Sequence, residues 1–396
     1  DRNLLLIQCL EALGLVLEYD LHDKTVHQHA IRVGQMCAII AEKVGLPPHK
    51  IQQIYFAGLI HDIGKISIGT SILTQKRKLT PDEFKIVQMH SVIGGKIAAS
   101  LPELSDLSFW IRWHHEKWDG SGYPDNLSGG QIPIEVQILS AIDCFDSLQT
   151  PRLDRDKISQ EESERIIRDQ RGTFFNPVIV DLISDMIKNR EIIPGKSSDK
   201  FMEIREKYIN RDYHEGTFDY WGDIGMSGMY PILKLFARVI DAKHGYTHGH
   251  STRVAVLSKY IAEKAGLPAV DIIKVEVAGM LHDAGKISIP NEVLDKINTP
   301  DDEEWRMIKN HPVHSYNILK NIHRMSEIAE ITRQHHERLD GSGYPDGLTE
   351  GRIGILAQII AISDSFDAMT SERAYRDMLR VEIAYREIEK GAGILY

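Results

Sequence analysis

Cysteine is scarce in this chain of 396 residues, where it occurs only as Cys9, Cys37 and Cys144. The three are far apart and no CxxC pair occurs, so the sequence offers neither a disulfide framework nor a zinc knuckle. Few, unpaired cysteines are typical of proteins that are kept in a reducing compartment. We therefore expect a cytoplasmic location.

Long apolar runs and excess positive charge are missing as well. A membrane-spanning helix needs about 20 apolar residues in a row, and the best candidate, which begins at Leu4, is interrupted by Gln8, Glu11 and Glu18. The formal net charge of −10 argues against non-specific nucleic-acid binding, which depends on broad Lys and Arg surfaces. We expect no membrane span in this fragment, no signal peptide and no nucleic-acid partner. Because the sequence begins with Asp1 and not with Met, we also expect that upstream sequence is missing.

What the sequence does contain is a long internal repeat. The decapeptide LIHDIGKISI at 59–68 returns as MLHDAGKISI at 280–289. The run HHEKWDGSGYPDNL at 114–127 returns as HHERLDGSGYPDGL at 335–348. Both pairs are separated by 221 positions. A period this long excludes a solenoid of short repeats and indicates a duplicated domain.

The repeat fixes the expected domain organisation. We place the first domain at 1–190, a linker at 191–226 and the second domain at 227–396. The turn-rich run IPGKSSD lies near the start of the linker. The second copy stops near the counterpart of Phe175, so we expect it to lack the last helix of the first copy.

The spacing of apolar residues indicates helices. Between 31 and 44 these residues recur at three and four positions, as on one face of a helix, and 50–59 behaves likewise. Pro81 and Pro300 each stand before acidic residues, which predicts helix starts with proline in the first turn. Alternating strand patterns are scarce. We predict an all-α fold with one helical bundle in each half.

Histidine is the residue type that points to chemistry. Twelve of the 18 histidines occupy repeat-matched positions, and ten of these, five in each copy, are candidate ligands that come with matched aspartates. A lone histidine on an apolar helix is more often a hydrogen-bonded core residue than a ligand, but five per copy at equal spacing predict a metal site. Imidazole and carboxylate without thiolate suit Fe, Mn or Zn better than Mg or Ca.

Counting donors predicts two metal ions per copy. Five imidazoles and two carboxylates, one of them shared, supply about eight bonds, whereas two octahedral ions need about twelve. A shared oxygen ligand would take about two more, which leaves about two positions for phosphate oxygens. This is the arrangement that a two-metal hydrolase needs.

A lysine follows the central aspartate of each copy. Lys65 and Lys286 stand three residues after Asp62 and Asp283, which on a helix places each pair on one face. A cation at this point could receive a phosphate. The alternative is a lysine that only pairs with the aspartate.

The combination of HD…GK, a later histidine, HHE..DG.GYP and a final aspartate resembles the HD-GYP subgroup of the HD-domain phosphohydrolases. The resemblance covers nearly all of both copies, and the full run HHEKWDGSGYP is highly specific. It implies a metal-dependent phosphodiesterase with two divalent metal ions per active domain, iron first and manganese as the alternative.

The resemblance also assigns roles to residues at matching positions. Asp62 and Asp283 would bridge the metals, and with Lys65 and Lys286 they are the implied catalytic residues. The implied metal ligands are His29, His61, Asp62, His90, His114, His115 and Asp143 in the first copy and His250, His282, Asp283, His311, His335, His336 and Asp364 in the second. The implied substrate contacts are Lys65, Arg152, Arg155, Lys286, Tyr344, Arg373 and Arg376.

The GYP run has a physical interpretation of its own. Gly120 and Gly122, like Gly341 and Gly343, permit positive φ and close approach. The resemblance implies that the loop braces the histidine pair and borders the substrate cleft. By resemblance, the loop is also a surface for partners such as GGDEF-type cyclases. Four nearby acids are expected to orient ligand histidines, which need acceptors for their other N–H: Glu116, Asp119, Glu337 and Asp340.

Two departures from the family pattern matter. Some members carry a glutamate four residues before the first histidine, where it recruits a third metal, but Thr25 and Tyr246 stand there in this chain. Ser315 stands where the family usually has glycine and where the first copy has Gly94.

The first copy departs more often: it has Gly69-Thr70 where the second has Pro290-Asn291, and Leu153-Asp154 where the second has Ala374-Tyr375. An acid beside the two arginines could weaken phosphate binding. Neither copy has lost a ligand, so we expect activity in the second copy and either activity or ligand sensing in the first.

The leading hypothesis is therefore hydrolysis of a cyclic dinucleotide. Cyclic di-GMP is the usual substrate of the family and would give linear pGpG and, after a second cleavage, GMP. The alternative enzyme is a 3′,3′-cyclic GMP-AMP phosphodiesterase, because nothing in the sequence reads the base. The alternative class is a non-catalytic cyclic-dinucleotide receptor or scaffold, especially in the first domain.

Overall fold

The computed structural model describes residues 7–14, 28–73, 75, 77–100, 102–150, 158–189, 191, 199–210, 230–242, 249–294, 296, 299–322, 324–371 and 378–396. Within these ranges the regular structure is helical, with two isolated β-bridges and no strand. The prediction of an all-α fold is confirmed. The chain separates into two compact units, 3–216 and 217–396, while the finer domain and linker bounds drawn from the sequence stay predictions.

The helices of each unit follow the repeat. In the first unit they are α1 (His29–Lys43), α2 (Pro48–Ile60), α3 (Pro81–Ala99), α4 (Ser108–Trp113), α5 (Ile134–Gln149), α6 (Gln160–Asp169), α7 (Pro177–Lys188) and α8 (Asp199–Ile204). In the second unit they are α9 (Tyr230–Ala242), α10 (His250–Lys264), α11 (Ala269–Leu281), α12 (Asp302–Lys309), α13 (His311–Leu319), α14 (Ser326–Gln334), α15 (Ile355–Thr370) and α16 (Val381–Gly391). Short 3₁₀ turns, Ile63–Ser67 and Ala284–Ser288, follow α2 and α11.

Helices α1 and α2 in the first unit, and α10 and α11 in the second, cross closely because a glycine lies at the contact. A Cβ added to Gly58 would stand 2.5 Å from the Cα of Gly34. In the second unit a Cβ on Gly279 would stand 2.8 Å from the Cα of Ala255. No larger residue fits at these crossings, so the glycines hold the end of α2 and of α11 against the neighbouring helix. Those ends carry the His-Asp pairs.

One of the two predicted helix starts is confirmed, and the other helix begins two residues after its proline. Pro81 begins α3, and Thr80 caps it in a reciprocal capping box with Glu83. In α12 the cap is Asp301, with Glu304 as its partner in the box. Pro300 therefore precedes the cap and does not lie in the first turn, which corrects that part of the prediction.

Part of the predicted linker packs on the first unit. The ring of Phe201 in α8 lies 5.5 Å from the ring of Tyr55, and the Gln52 amide donates a 2.7 Å hydrogen bond to the carbonyl of Ile209. Both contacts anchor the segment after the first bundle on α2. The described part of the first unit thus extends to Asn210.

Among the described helices, none combines the length and the apolar character needed to cross a membrane.

Candidate metal centres

The candidate ligands of the first unit come from five places in the bundle. His29 begins α1, His61 and Asp62 join α2 to its 3₁₀ turn, His90 lies inside α3, His114 and His115 follow α4, and Asp143 lies inside α5. The same elements of the second unit supply their seven counterparts. All seven predicted ligands of each copy are therefore brought together in the interior of one bundle.

Backbone carbonyls orient most of the histidines. The Nδ1 atoms of His61, His90 and His114 lie 2.8, 2.6 and 2.6 Å from carbonyl oxygens three residues earlier. A carbonyl only accepts, so Nδ1 carries the proton and Nε2 is left with a lone pair. The second unit repeats these contacts at 2.8, 2.7 and 2.6 Å for His282, His311 and His335.

The first histidine of each unit is oriented by a carboxylate. The Nδ1 atom of His29 lies 2.7 Å from Asp146, and that of His250 lies 2.7 Å from Asp367. Sequence reasoning missed both aspartates. The available signal was that each follows a predicted metal ligand, Asp143 or Asp364, by three residues and so shares its helical face.

These lone pairs converge on two adjacent positions in the first unit. Donor atoms of His29, His61 and Asp143 lie within 4.8 Å of one another, and so do those of the histidine triplet His90, His114 and His115. Asp62 lies between the two groups: Oδ2 is 3.4 Å from Nε2 of His61, and Oδ1 is 3.4 Å from Nε2 of His90.

The second unit has the same arrangement. Oδ2 of Asp283 lies 3.3 Å from Nε2 of His282 and 3.5 Å from Nε2 of His250. Its Oδ1 lies 3.3 Å from Nε2 of His311. The other members of the two groups are Asp364, His335 and His336. Each central aspartate thus turns one oxygen toward each donor group.

The donor atoms fit a metal and little else. Nε2 of His61, His250 and His282 and Oδ1 of Asp283 are buried without a hydrogen-bond partner. A buried polar atom left unsatisfied costs about 1–3 kcal/mol, and these four point into the two donor groups. Imidazole nitrogen and carboxylate oxygen are ligands for Fe, Mn and Zn. The residues therefore form clusters that could hold metal ions, and the binding, number and identity of the ions belong to the proposal below.

Coordination requires neutral imidazole and ionised carboxylate, and only some of the donors favour these charge states by themselves. Burial opposes protonation of His29, but Asp143 and Asp146 outweigh it and raise the pKa of that imidazole to about 10. Burial, together with the neighbouring His90 and His61, lowers the pKa of His114 to about 3. Burial opposes ionisation of Asp283, but His282 and Lys286 outweigh it and hold the pKa of that carboxyl well below its usual range.

The lysine of each HD motif contacts the central aspartate. Nζ of Lys286 lies 2.6 Å from Oδ2 of Asp283, and Lys65 pairs in the same way with Asp62. Both alternatives raised by the sequence remain, because the lysine side chains are still 28% and 22% exposed in the first and second unit. The ammonium groups lie at the edge of the donor groups and not within them.

The GYP loop braces the second of the paired histidines. The Tyr123 ring lies 4.8 Å from that of His115, and the Tyr344 ring lies 4.8 Å from that of His336. A Cβ on Gly122 would stand 2.4 Å from the nitrogen of Lys117, so the loop reaches this position only with glycine. The expectation of close approach is confirmed.

The four carboxylates that were expected to orient histidines accept hydrogen bonds from the backbone of the GYP loop. Glu116 accepts hydrogen bonds from the backbone N–H of Asp125 and Leu127, at 2.6 and 3.0 Å. Asp119 accepts from the N–H of Ser121 at 2.9 Å. Glu337 and Asp340 repeat these bonds. The prediction of a histidine-orienting role was wrong: these carboxylates close the GYP loop, and backbone carbonyls and two other aspartates orient the rings.

Several predicted residues lie outside the described part of the chain. They are the substrate-contact candidates Arg152, Arg155, Arg373 and Arg376 and the two positions that bear on a third metal, Thr25 and Tyr246.

The fold and the paired donor groups define a helical protein with one cluster of candidate metal ligands in each bundle. A family model described as HD domain matches residues 18–179 and 234–396. The chain therefore belongs to the HD-domain family, and both copies carry the HD-GYP signature.

Relatives sharpen the comparison. The 3′3′-cGAMP-specific phosphodiesterase 3 of Vibrio cholerae is 29% identical over 77% of this chain and 64% of its own length. The 3′3′-cGAMP-specific phosphodiesterase 1 of the same organism is 28% identical over 88% of this chain and 79% of its own length. A cyclic di-GMP phosphodiesterase of Thermotoga maritima is 41% identical over 42% and 46%. The chain thus spans about two thirds of the first relative and under half of the third.

One solved structure shares the fold over nearly the whole chain. It is the cyclic GMP-AMP-specific phosphodiesterase V-cGAP3 of V. cholerae, with a TM-score of 0.62, 22% identity and coverage of 97% of this chain and 92% of that one.

Proposed function

We propose that this chain is a metal-dependent phosphodiesterase that hydrolyses a cyclic dinucleotide to a linear one. The observation that carries the proposal is the central carboxylate of each unit, which turns one oxygen toward each of two donor groups. An aspartate in this position suits two divalent ions side by side. Iron is the first candidate and manganese the alternative, since the donors are imidazole and carboxylate without thiolate.

The metals, when bound, would activate water and polarise the phosphodiester. The side chains around the metals would bind and orient the substrate. Lys286 lies beside Asp283 with its ammonium partly exposed, where it can neutralise charge on a scissile phosphate. Tyr344 packs on His336 and forms one wall of the approach. In the first unit Lys65 and Tyr123 take these positions.

The relatives support two substrates. Those that align across both copies are named 3′3′-cGAMP-specific, and a relative that aligns with about one copy is named for cyclic di-GMP. We therefore place 3′3′-cyclic GMP-AMP beside cyclic di-GMP, which the sequence alone put first. A GGDEF-type partner on the GYP loop and a cytoplasmic location stay predictions.

The test is turnover of both nucleotides, side by side, by protein purified anaerobically and reconstituted with Fe(II) or Mn(II). Hydrolysis of either, with about two ions bound per domain, is the expected result. Full metal loading without hydrolysis of either would overturn the enzymatic proposal and favour a receptor. Failure to retain any metal would overturn both.

A further inference from the structure

A cavity of about 610 Å³ lies beside the metal centre of the second unit. Its size falls within the range of about 300–1,000 Å³ that is usual for small-molecule sites. The wall is formed by α12, the start of α13, the 3₁₀ turn and the GYP loop. The polar and aromatic side chains that matter here are Glu303, Arg306, Lys309, Asn310, His314 and Tyr344.

Tyr344 connects this cavity to the metal ligands. One side of its ring packs on His336 at 4.8 Å and lies 6.5 Å from His311. The ring also lines the cavity, and the ammonium of Lys309 lies 5.7 Å from its centroid. A substrate whose phosphate reaches the metals would therefore place an adjoining part in the cavity.

The side chains of α12 offer a specific set of donors and an acceptor. Glu303, Arg306 and Lys309 follow one another at three-residue intervals and so share one helical face. Arginine and lysine are the usual donors to O6 and N7 of guanine. A carboxylate can accept from the N1–H and the N2 amino group of guanine, which adenine lacks. The Tyr344 ring offers a stacking surface.

The first unit does not repeat this set. Lys85 and Gln88 stand at the positions of Arg306 and Lys309, and Lys85 pairs with Asp82 at 3.5 Å. At the positions of Asn310 and His314 the first copy has apolar residues, Met89 and Ile93. The chemistry of the cavity therefore belongs to the second copy, although both copies keep every metal ligand.

We propose that this cavity is a guanine-binding subsite of the second domain, which holds one base of the cyclic dinucleotide while a phosphate lies at the metals. Arg306 and Lys309 donate to O6 and N7, and Glu303 accepts from N1 and N2. The inference rests on the proposed function and deepens it, because it assigns the choice of base to residues outside the ligand set.

The experiment uses the whole chain, metal-loaded, in which Asp62→Asn silences the first domain. Arg306→Lys and Lys309→Gln introduce the first unit's own residues, and Glu303→Gln removes the acceptor. Lys320→Gln is the matched control, since Lys320 is an exposed lysine outside the cavity. Substrates are 3′3′-cyclic GMP-AMP, cyclic di-GMP and cyclic di-AMP, with bis(p-nitrophenyl) phosphate as a small diester that has none of the hydrogen-bonding groups of guanine.

We expect each cavity variant to raise KM for the guanine nucleotides by about 5- to 100-fold, as for loss of one base contact. Hydrolysis of the small diester and the Lys320→Gln control should not change. The Glu303→Gln variant separates two explanations, because they predict opposite changes in nucleotide binding. Removing a negative charge would tighten the binding of an anion held by charge alone, but it weakens binding if the carboxylate reads guanine.

Unchanged KM values, equal weakening for cyclic di-AMP, or tighter binding by Glu303→Gln would each overturn the inference. The proposed function is judged separately, by turnover of the parent protein. If the parent protein hydrolyses none of the nucleotides, their binding can be measured at equilibrium. Their dissociation constants, measured by calorimetry on parent and variants, then give the same decision on the cavity.

Discussion

The two units place the same candidate ligands on different supports. In the first, His90 lies within the 19-residue helix α3. In the second, that helix is broken, so α12 ends at Lys309 and His311 begins α13. Pro312 explains the break, because it has no N–H for the carbonyl four residues earlier, and that carbonyl, of Ile308, receives the imidazole Nδ1–H of His311 instead.

A second difference lies behind the HD motif. The Ser315 hydroxyl accepts from the N–H of Gly285 and donates to the carbonyl of His282, both at 2.8 Å. Its counterpart Gly94 has no side chain. The central aspartate is 4% exposed in the second unit and 21% in the first. Divergence of the copies has thus changed the support and enclosure of the centre while leaving its ligands in place.

The largest expected effect comes from removing a His-Asp pair in one unit at a time. His282→Ala with Asp283→Ala should lower turnover by more than the roughly 100-fold upper range known for outer partners of metal ligands. His61→Ala with Asp62→Ala should leave most turnover intact if the second unit is the main catalyst. Steady-state rates and metal content per chain measure both. Equal losses from the two pairs would show that the units share the work.

Removing the carboxylate behind the first histidine should have the next largest effect. Asp367→Asn and Asp146→Asn each weaken the acceptor for an imidazole Nδ1–H, which should lower metal affinity or activity by about 10- to 100-fold. Metal titration of each variant measures this. The two variants should behave alike, because both contacts are 2.7 Å. Unchanged metal affinity would refute the orienting role.

A methyl group at the GYP loop should destabilise the first unit. Gly122→Ala places a Cβ 2.4 Å from a backbone nitrogen, and such overpacking costs about 1–3 kcal/mol. Gly130→Ala is the control, because no atom lies within 4 Å of its added Cβ. Thermal unfolding with and without metal measures the difference. Equal stability of the two variants would contradict the close packing of the loop.

The smallest effect should come from exchanging the supports. Ser315→Gly removes two hydrogen bonds behind the HD motif, each with a net contribution of about 1 kcal/mol. We expect faster amide exchange at Gly285 and a modest loss of stability in the second unit. Hydrogen exchange resolves the units separately, with Ser342→Gly in the exposed loop as the control. Protection at Gly285 that does not change would show that the serine is not a support.

Much of the fold and of the candidate site could be predicted from the sequence. The spacing of the histidines and the repeat at 221 positions are visible without a structure. The helical class and the glycine requirement of the loop followed directly, and the structure brings together the residues that the family resemblance implies as ligands. The predictions that were wrong or missing concern the direction in which a side chain points. Glu116 stands next to His115 in sequence, yet its carboxylate turns to the loop backbone, whereas Asp146 is distant in sequence and meets His29 only through packing of α1 on α5.

The hydrogen bonds from the histidines to backbone carbonyls bear on which substitutions a duplicated centre can accept. The carbonyl that holds His90 belongs to Val87, and the one that holds His311 belongs to Ile308. Likewise, Ile111 and Thr332 serve His114 and His335. Since every residue supplies a carbonyl, these contacts do not depend on which side chain stands at those positions. Each bundle can therefore accumulate substitutions around its core chemistry, and a duplicate can acquire a new ligand preference before it loses the old reaction.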